Sequence, residues 1–262
     1  MIGKFNGHLQ DCVLFVADEA YWGGDKRCVG RLQGMITEPW LPIERKGFDL
    51  IEVPNYLHVV MLAEPGWVIP AGRFERRYAA LSVSDARRGD REYFKALHHQ
   101  IADSGAEAMM WDLQRLELDG WHPREIPESL LKGSALQEQQ IHTLPPLEQW
   151  YLSLLQDGRI PGALTNNNPN SRKLSRPSTA YTKSLREDAM QRWPRLRYEL
   201  SDNVIEEFMT NQSWPKATKF RDSKNNGWTF EPLAESRAAW DRRYCPQQWD
   251  DTPEWIGRQP WE

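Results

Sequence analysis

The sequence predicts an α/β fold: strands of a parallel sheet, then a helical region, then a small winged-helix-like domain. Three observations carry this reading. Residues 13–17 are apolar throughout and end at two adjacent carboxylates, Asp18 and Glu19, as a strand inside a sheet covered on both faces would. Residues 91–155 place apolar side chains at helical spacing. From about residue 180 the order is helix, helix, hairpin.

Each element has a local reason. After the first strand, Asp25 reads as an N-cap, with Val29, Leu32 and Met35 or Ile36 at helical spacing. "LPIERKGFDLIEV" alternates weakly and turns at Lys46-Gly47, which predicts a hairpin. "LHVVMLA" reads as a second buried strand and "YAALSVSD" as a third. In the helical region Phe94, Leu97 and Ile101, then Met109, Met110 and Leu113, fall on apolar stripes, and the methionines read as core filler. His98 and His99 read as helix-surface residues.

"DGRIPGALTNNNPNSRKLSRPSTAY" has the Gly, Pro, Asn and Ser content of a boundary. The predicted regions are therefore 1–90, 91–160 and 161–262. "TKSLREDAMQRW" and "SDNVIEEFMTNQ" read as short helices, each with a capping residue ahead and carboxylates in its first turn. "KATKFRDSKNNGWTFEPL" reads as two strands joined through Asn225-Asn226-Gly227. Trp240, Trp249, Trp255 and Trp261 dot the polar tail, so the tail either covers another surface or is partly disordered.

Composition excludes several classes. Hydrophobic residues make up 40% of the 262 positions and charged residues 27%, an ordinary globular balance with room for about two domains. No apolar run approaches the ~20 residues of a membrane span, and the first residues lack a signal-peptide core. The cysteines, Cys12, Cys28 and Cys245, are odd in number and form no CxxC, which argues against a disulfide framework or zinc site and for a reducing cytoplasm. The net charge of -4 is not that of a wholly basic nucleic-acid binder. Its distribution is uneven. Between positions 172 and 224 there are twelve Lys or Arg and seven Asp or Glu, and that local excess predicts phosphate contacts. The candidates are Arg192, Arg195 and Arg197 after the first helix, with Lys216, Lys219, Arg221 and Lys224 near the hairpin.

A buried strand that ends in Asp-Glu delivers two charges to the carboxyl edge of a sheet, where ligands of open parallel sheets bind. In nucleotide hydrolysis one carboxylate can hold magnesium through water, and the other can orient the attacking water. "VLFVADEAYWGGDK", "ITEPWLPIERKGFDLIEVPNYLHVVMLA" and "PAGRFERRYAALSVSD", in that order, resemble the superfamily 3 helicases. They are more similar still to the helicase domain of phage-type and virus-type primase-helicases and primase-polymerases. The resemblance covers residues 1–90 and continues more loosely beyond them.

The resemblance implies a partial AAA+ core, the later half of its parallel sheet, with ATP and magnesium as cofactors. Asp18 and Glu19 match the Walker B acids, Asp18 toward the metal and nucleotide and Glu19 toward the water. Arg45 and Lys46 fall on the hairpin that grips single-stranded DNA in the channel of a homo-oligomeric ring, with Phe48 beside them for a base or sugar. Arg76 matches the arginine finger that reaches the ATP of the adjacent subunit, with Arg77 as the reserve.

Two departures stand out. Glu64 occupies the sensor position, where the family has a polar residue, typically Asn, and a third carboxylate there would repel a triphosphate unless protonated or turned away. No GxxxxGK[ST] phosphate loop occurs in the 262 residues. The chain therefore reads as starting after that loop, as the downstream piece of a split, truncated or internally started helicase gene. An upstream helicase or primase fragment is then an expected partner. The rival readings are a non-enzymatic DNA-binding or assembly module and an inactive prophage remnant.

Overall fold

The computed structural model describes residues 6–20, 26–64, 66–122, 125–131, 133–163, 178–210, 217–222 and 225–257. The chain is a mixed α/β protein of small sheets and helices that divides into two compact units, Met1–Gln139 and Gln140–Glu262. Among the described residues no helix is long and apolar enough to cross a membrane.

The first unit opens with strand β1 (Leu14–Ala17), helix α1 (Lys26–Thr37), strands β2 (Trp40–Ile43) and β3 (Ile51–Pro54), and strand β4 (His58–Met61). β1 and β4 pair in parallel, Leu14 opposite His58 and Ala17 opposite Met61. β2 and β3 form the expected hairpin, Ile43 opposite Ile51. α1 matches its predicted stripe, with Leu32 and Met35 buried, while Asp25 lies outside the described residues.

Two expectations fail here. β1 is not covered on both faces: Val13, Leu14 and Val16 are exposed, as is Val60 of β4, and only Phe15, Ala17, Val59 and Met61 turn inward. Among the described residues β1 and β4 form a two-stranded sheet with one face packed, so the apolar run overshoots the burial it receives. "YAALSVSD" is not a strand. It has no ladder partner among the described residues, and Leu81 and Val83 are exposed.

The helical region is α2 (Arg91–Gln100), α3 (Ala106–Arg115), the short α4 (Glu128–Leu131), α5 (Ser134–Thr143) and α6 (Pro146–Asp157). Asp90 caps α2 by accepting from the Tyr93 amide. Neither α2 nor α3 buries a residue, so Met109 and Met110 are not core filler. The unit's core is two small clusters instead. One joins Leu9, Met35, Leu41, Ile43 and Leu57, the other Leu32, Ile69, Ala71, Tyr78 and Leu136.

The second unit contains α6, β5 (Arg159–Ile160), β6 (Thr179–Tyr181), α7 (Thr182–Arg192), α8 (Asp202–Thr210), β7 (Ala217–Arg221), β8 (Asn226–Phe230), α9 (Leu233–Arg243) and β9 (Ile256–Gly257). β6, β8 and β7 form one antiparallel sheet in that spatial order. Both predicted helices are present. Ser201 accepts from the Val204 amide at the head of α8, but α7 starts after Tyr181 with no side-chain cap and no acid in its first turn. The hairpin turn lies earlier than expected. Asn225 and Asp222 hydrogen-bond to each other, and Asn226-Gly227 already belong to β8. Most of the Gly/Pro/Asn-rich stretch lies outside the described residues, and α6 before it packs in the same core as α7 after it.

The tail closes that core. Trp240 and Trp255 are buried in it and Trp249 packs against it; Trp261 lies outside the described residues. The clamp is Arg237 of α9, only 5% exposed. Its Nε and Nη2 donate to the Leu155 carbonyl, Nη1 donates to the Asp250 and Thr252 carbonyls, and Nη2 meets Asp250 Oδ1 at 2.7 Å. A guanidinium has five donors in a fixed fork, which suits it to joining α6, α9 and the tail at one point.

Candidate functional site

The parallel register of β1 and β4 sets the position of the acids. The Leu62 amide donates to Ala17 O and the Ala20 amide donates to Leu62 O, both at 2.8 Å, so Asp18 and Glu19 loop out between two ladder bonds. Glu19 has φ 51°, a left-handed conformation uncommon for a residue with a side chain. The Asp18 carboxylate steadies it by accepting the Glu19 amide at 3.0 Å. Glu64, two residues past Leu62, leaves β4 at the same edge, and all three acids are exposed. The structure thus brings Asp18, Glu19 and Glu64 to the carboxyl end of one strand pair.

Among the described residues no group of three His, Cys, Asp or Glu side chains comes together as a metal cage. Magnesium bound to a nucleotide does not need one: it keeps waters and phosphate oxygens and takes one or two carboxylates. Asp18 fits that demand, with one oxygen engaged by the Glu19 amide and the other open to a metal-bound water. The metal would supply charge neutralisation on the phosphates.

A separate candidate group is the loop at 69–78, where two arginines that look equivalent in sequence differ in structure. Glu75 is a buried carboxylate, and its Oε1 accepts the Arg76 amide at 2.9 Å and the Arg77 amide at 2.8 Å. Arg77 folds back, its Nη1 3.6 Å from the same oxygen, and is half-buried. Arg76 points to solvent, and its guanidinium has no ion-pair partner among the described residues. Tyr78 packs behind the turn, with its pKa pushed up to about 12 by burial and then by the Glu75 charge. Phe74, 83% exposed, carries the Arg73 guanidinium over its ring at 4.8 Å. Gln139 pins the segment just before, accepting from the Val68 and Ile69 amides and donating to Gly66 O. The loop therefore offers one arginine outward and holds the other as support. Glu75 was not singled out in the sequence; its place between Arg73 and the Arg76-Arg77 pair was the available signal.

The β2–β3 hairpin presents Lys46 and Phe48 at its tip. Gly47 takes φ 81° there, and the Phe48 amide donates to Arg45 O. Phe48 is 72% exposed. Arg45 differs from Lys46: it donates to the Gln10 side chain, which ties it to the hairpin base. Asn6 stiffens that base through bonds to Pro42 O and the Glu44 amide.

In the second unit the basic candidates separate in the same way. Arg192 is held by Asp157 at 2.7 Å and Asp188 at 3.0 Å and donates to Ser153. Burial works against its charge, but those carboxylates outweigh it and its pKa is raised. Asp188, itself buried, also accepts the Trp150 indole N–H. Lys219 of β7 meets Glu206 of α8 at 2.7 Å, and that hydrogen bond lowers the Glu206 pKa. Arg195, Arg197 and Arg221 are exposed and free of ion pairs among the described residues. Lys216 and Lys224 lie outside the described residues. Sequence reasoning missed Tyr198. It follows Arg197 in a single 3-10 turn (Pro194–Tyr198) anchored by buried Leu196, and it is 94% exposed. An aromatic ring offered beside two free guanidinium groups is a surface on which an unstacked base can lie.

No curated protein matches the sequence. Residues 1–77 match the model of a family of unknown function, DUF5906. Among solved structures, the fold is similar to that of the C-terminal region of NrS-1. The apo structure of its residues 305–718 is 15% identical, with a TM-score of 0.56 over 87% of this chain and 58% of that one. The A form apo structure of the same region is 13% identical, with a TM-score of 0.53 over the same shares. The chain thus spans less than two thirds of the length of these structures, and the likeness is one of fold.

Proposed function

We propose that the chain is the helicase-side part of a phage-type replication protein, acting in the cytoplasm on DNA. In this reading it supplies Asp18, Glu19 and Arg76 to ATP sites between the subunits of a ring. The phosphates would be held by a GxxxxGK[ST]-type loop, which is not among the 262 residues. The observation that carries it is the parallel β1–β4 pair, which delivers Asp18, Glu19 and Glu64 to one sheet edge. The fold likeness to the NrS-1 region supports a coarse relation to phage primase-helicases. Asp18 would hold magnesium, Glu19 would orient the attacking water, and Arg76 would neutralise charge developing on the phosphate of a neighbouring site, an effect worth ~10³ or more in rate. Lys46 and Phe48, with Arg45 steadying the hairpin, would meet a single strand in the ring channel. Arg195, Arg197 and Arg221 would meet phosphates outside it, with Lys216, Lys219 and Lys224 as further basic contacts.

The absence of GxxxxGK[ST] from the 262 residues favours a second reading, a DNA-binding or assembly module without catalysis. Magnesium-dependent ATP hydrolysis separates the two. The chain alone is expected to be inactive. Mixed with a polypeptide carrying a helicase phosphate loop of this type, it should hydrolyse ATP, and Glu19→Gln or Arg76→Ala should abolish the activity. Hydrolysis by the chain alone, lost in Glu19→Gln, would contradict the need for a supplied loop. No hydrolysis in any mixture would favour the module.

A further inference from the structure

α2 and α3 form an arm of two equal helices, ten residues each, that buries none of its side chains. The two are separated at Asp103 and Ser104, where Ser104 takes φ 63° and the helical path breaks. Gly105 is required at the break, because a Cβ there would lie 2.4 Å from the Gln100 carbonyl oxygen. Each helix nevertheless carries a stripe made for burial. Phe94 and Leu97 of α2 share one face with Ile101 at its C-terminal cap, and Met109, Met110 and Leu113 share one face of α3, each between 38% and 59% exposed. A helix with an apolar stripe and nothing against it is unfinished, since most helical stability in proteins comes from packing that stripe.

We infer that the partner of this arm is the same arm of a second copy of the chain, with α2 of each copy lying on α3 of the other. Two observations select that occupant. The first is charge: α2 carries Arg91 and Lys95 against Glu92, whereas α3 carries Glu107 and Asp112 against Arg115. Arg91 and Lys95 on α2 and Glu107 and Asp112 on α3 share helices with the stripes and have no ion-pair partners among the described residues. The arm is thus self-complementary, as an interface between two copies related by a two-fold axis requires. The second is area. Six large apolar side chains about half exposed amount to on the order of 600 Å² per copy, and covering both arms reaches about 1,200 Å², the lower edge of stable interfaces. The inference does not depend on the nucleotide reading, since the arm contains none of the proposed ATP-site residues.

Sedimentation of the full chain over a range of concentrations tests it. A reversible dimer is expected. Leu97→Asp, at a position that buries nothing in the single copy, should weaken it by at least about 30-fold, as loss of a central interface anchor does. Reversing Arg91 and Lys95 to Glu, or Glu107 and Asp112 to Lys, should weaken it by about 10-fold. Combining all four changes should restore it, which a misfolded arm would not do. A chain that stays monomeric throughout, a self-association untouched by Leu97→Asp, or a four-site reversal that fails to restore the dimer would overturn the proposal. So would a monomer whose arm binds a single-stranded oligonucleotide instead.

Discussion

The two units differ in what they leave uncovered. Among the described residues, nineteen buried ones of the second unit form one continuous cluster around Trp150, Trp228 and Trp240, whereas the first unit divides its core into two clusters of five. The contrast is sharper at the surface. The second unit exposes only Tyr198, Val204 and Ile256 among large apolar side chains of the described residues. The first exposes apolar residues on β1, β4, the β2–β3 hairpin and along the arm. Interiors close-pack and scattered exposed apolar residues are ordinary, but apolar faces this contiguous mark surfaces that meet other molecules. The second unit is finished by its own chain; the first is shaped to be covered.

Removing the clamp of the second unit should break that comparison most strongly. Arg237→Ala leaves the carbonyls of Leu155, Asp250 and Thr252 without their donor and opens the tail. A loss of about 3–5 kcal/mol is expected. Chemical denaturation followed by tryptophan fluorescence should show the second unit unfolding first, while the β1–β4 unit keeps its transition.

Alkaline titration comes next. Tyr151 lies in the middle of the second core, and burial raises its pKa to about 12. A raised folded pKa means its stabilisation is fully present below about 10, the unfolded value, and is lost as the pH rises through about 12. On the order of 3 kcal/mol should disappear in that window, and Tyr151→Phe should remove that share of the dependence, leaving the shares of Tyr78 and Tyr244, whose pKa values burial also raises.

The smallest effect separates two arginines only three residues apart. Arg192→Ala strips buried Asp188 of its cation and should cost about 2 kcal/mol of stability. Arg195→Ala, on an exposed turn, should stay within about 0.5 kcal/mol. Equal losses in thermal unfolding would mean that the ion pairs of Arg192 do not hold the fold.

The sequence was most readable where local rules and tertiary context agree. α1, the hairpin turning at Lys46-Gly47 and α8 follow from spacing, capping and turn chemistry, whereas α7 forms without the expected cap and the β7–β8 turn lies earlier than the sequence placed it. It misled where burial depends on a neighbour that a pattern cannot name. Val13, Leu14 and Val16 and the methionines of α3 have core composition but lie at the surface, and "YAALSVSD" has strand composition without a strand to pair with among the described residues. At the site, the carboxylate pair and the basic stretch were legible as residue types. Which cations are free was not, because Arg77, Arg192 and Lys219 are engaged by Glu75, by Asp157 and Asp188, and by Glu206, contacts that only folding creates. Tyr198 escaped notice because a single aromatic in a polar turn has no periodicity to betray it.

The claim that the chain works on DNA is tested most directly by titrating a fluorescent single-stranded oligonucleotide with the full chain at increasing salt. Binding should weaken with salt, losing about 0.7 in the logarithmic slope for each phosphate contact removed, so Arg197→Ala should flatten the slope by that amount. Tyr198→Ala should instead lower affinity about 10-fold at every salt concentration with the slope unchanged, since stacking releases no counterions. Absence of binding at low salt, or binding that neither substitution alters, would contradict the account.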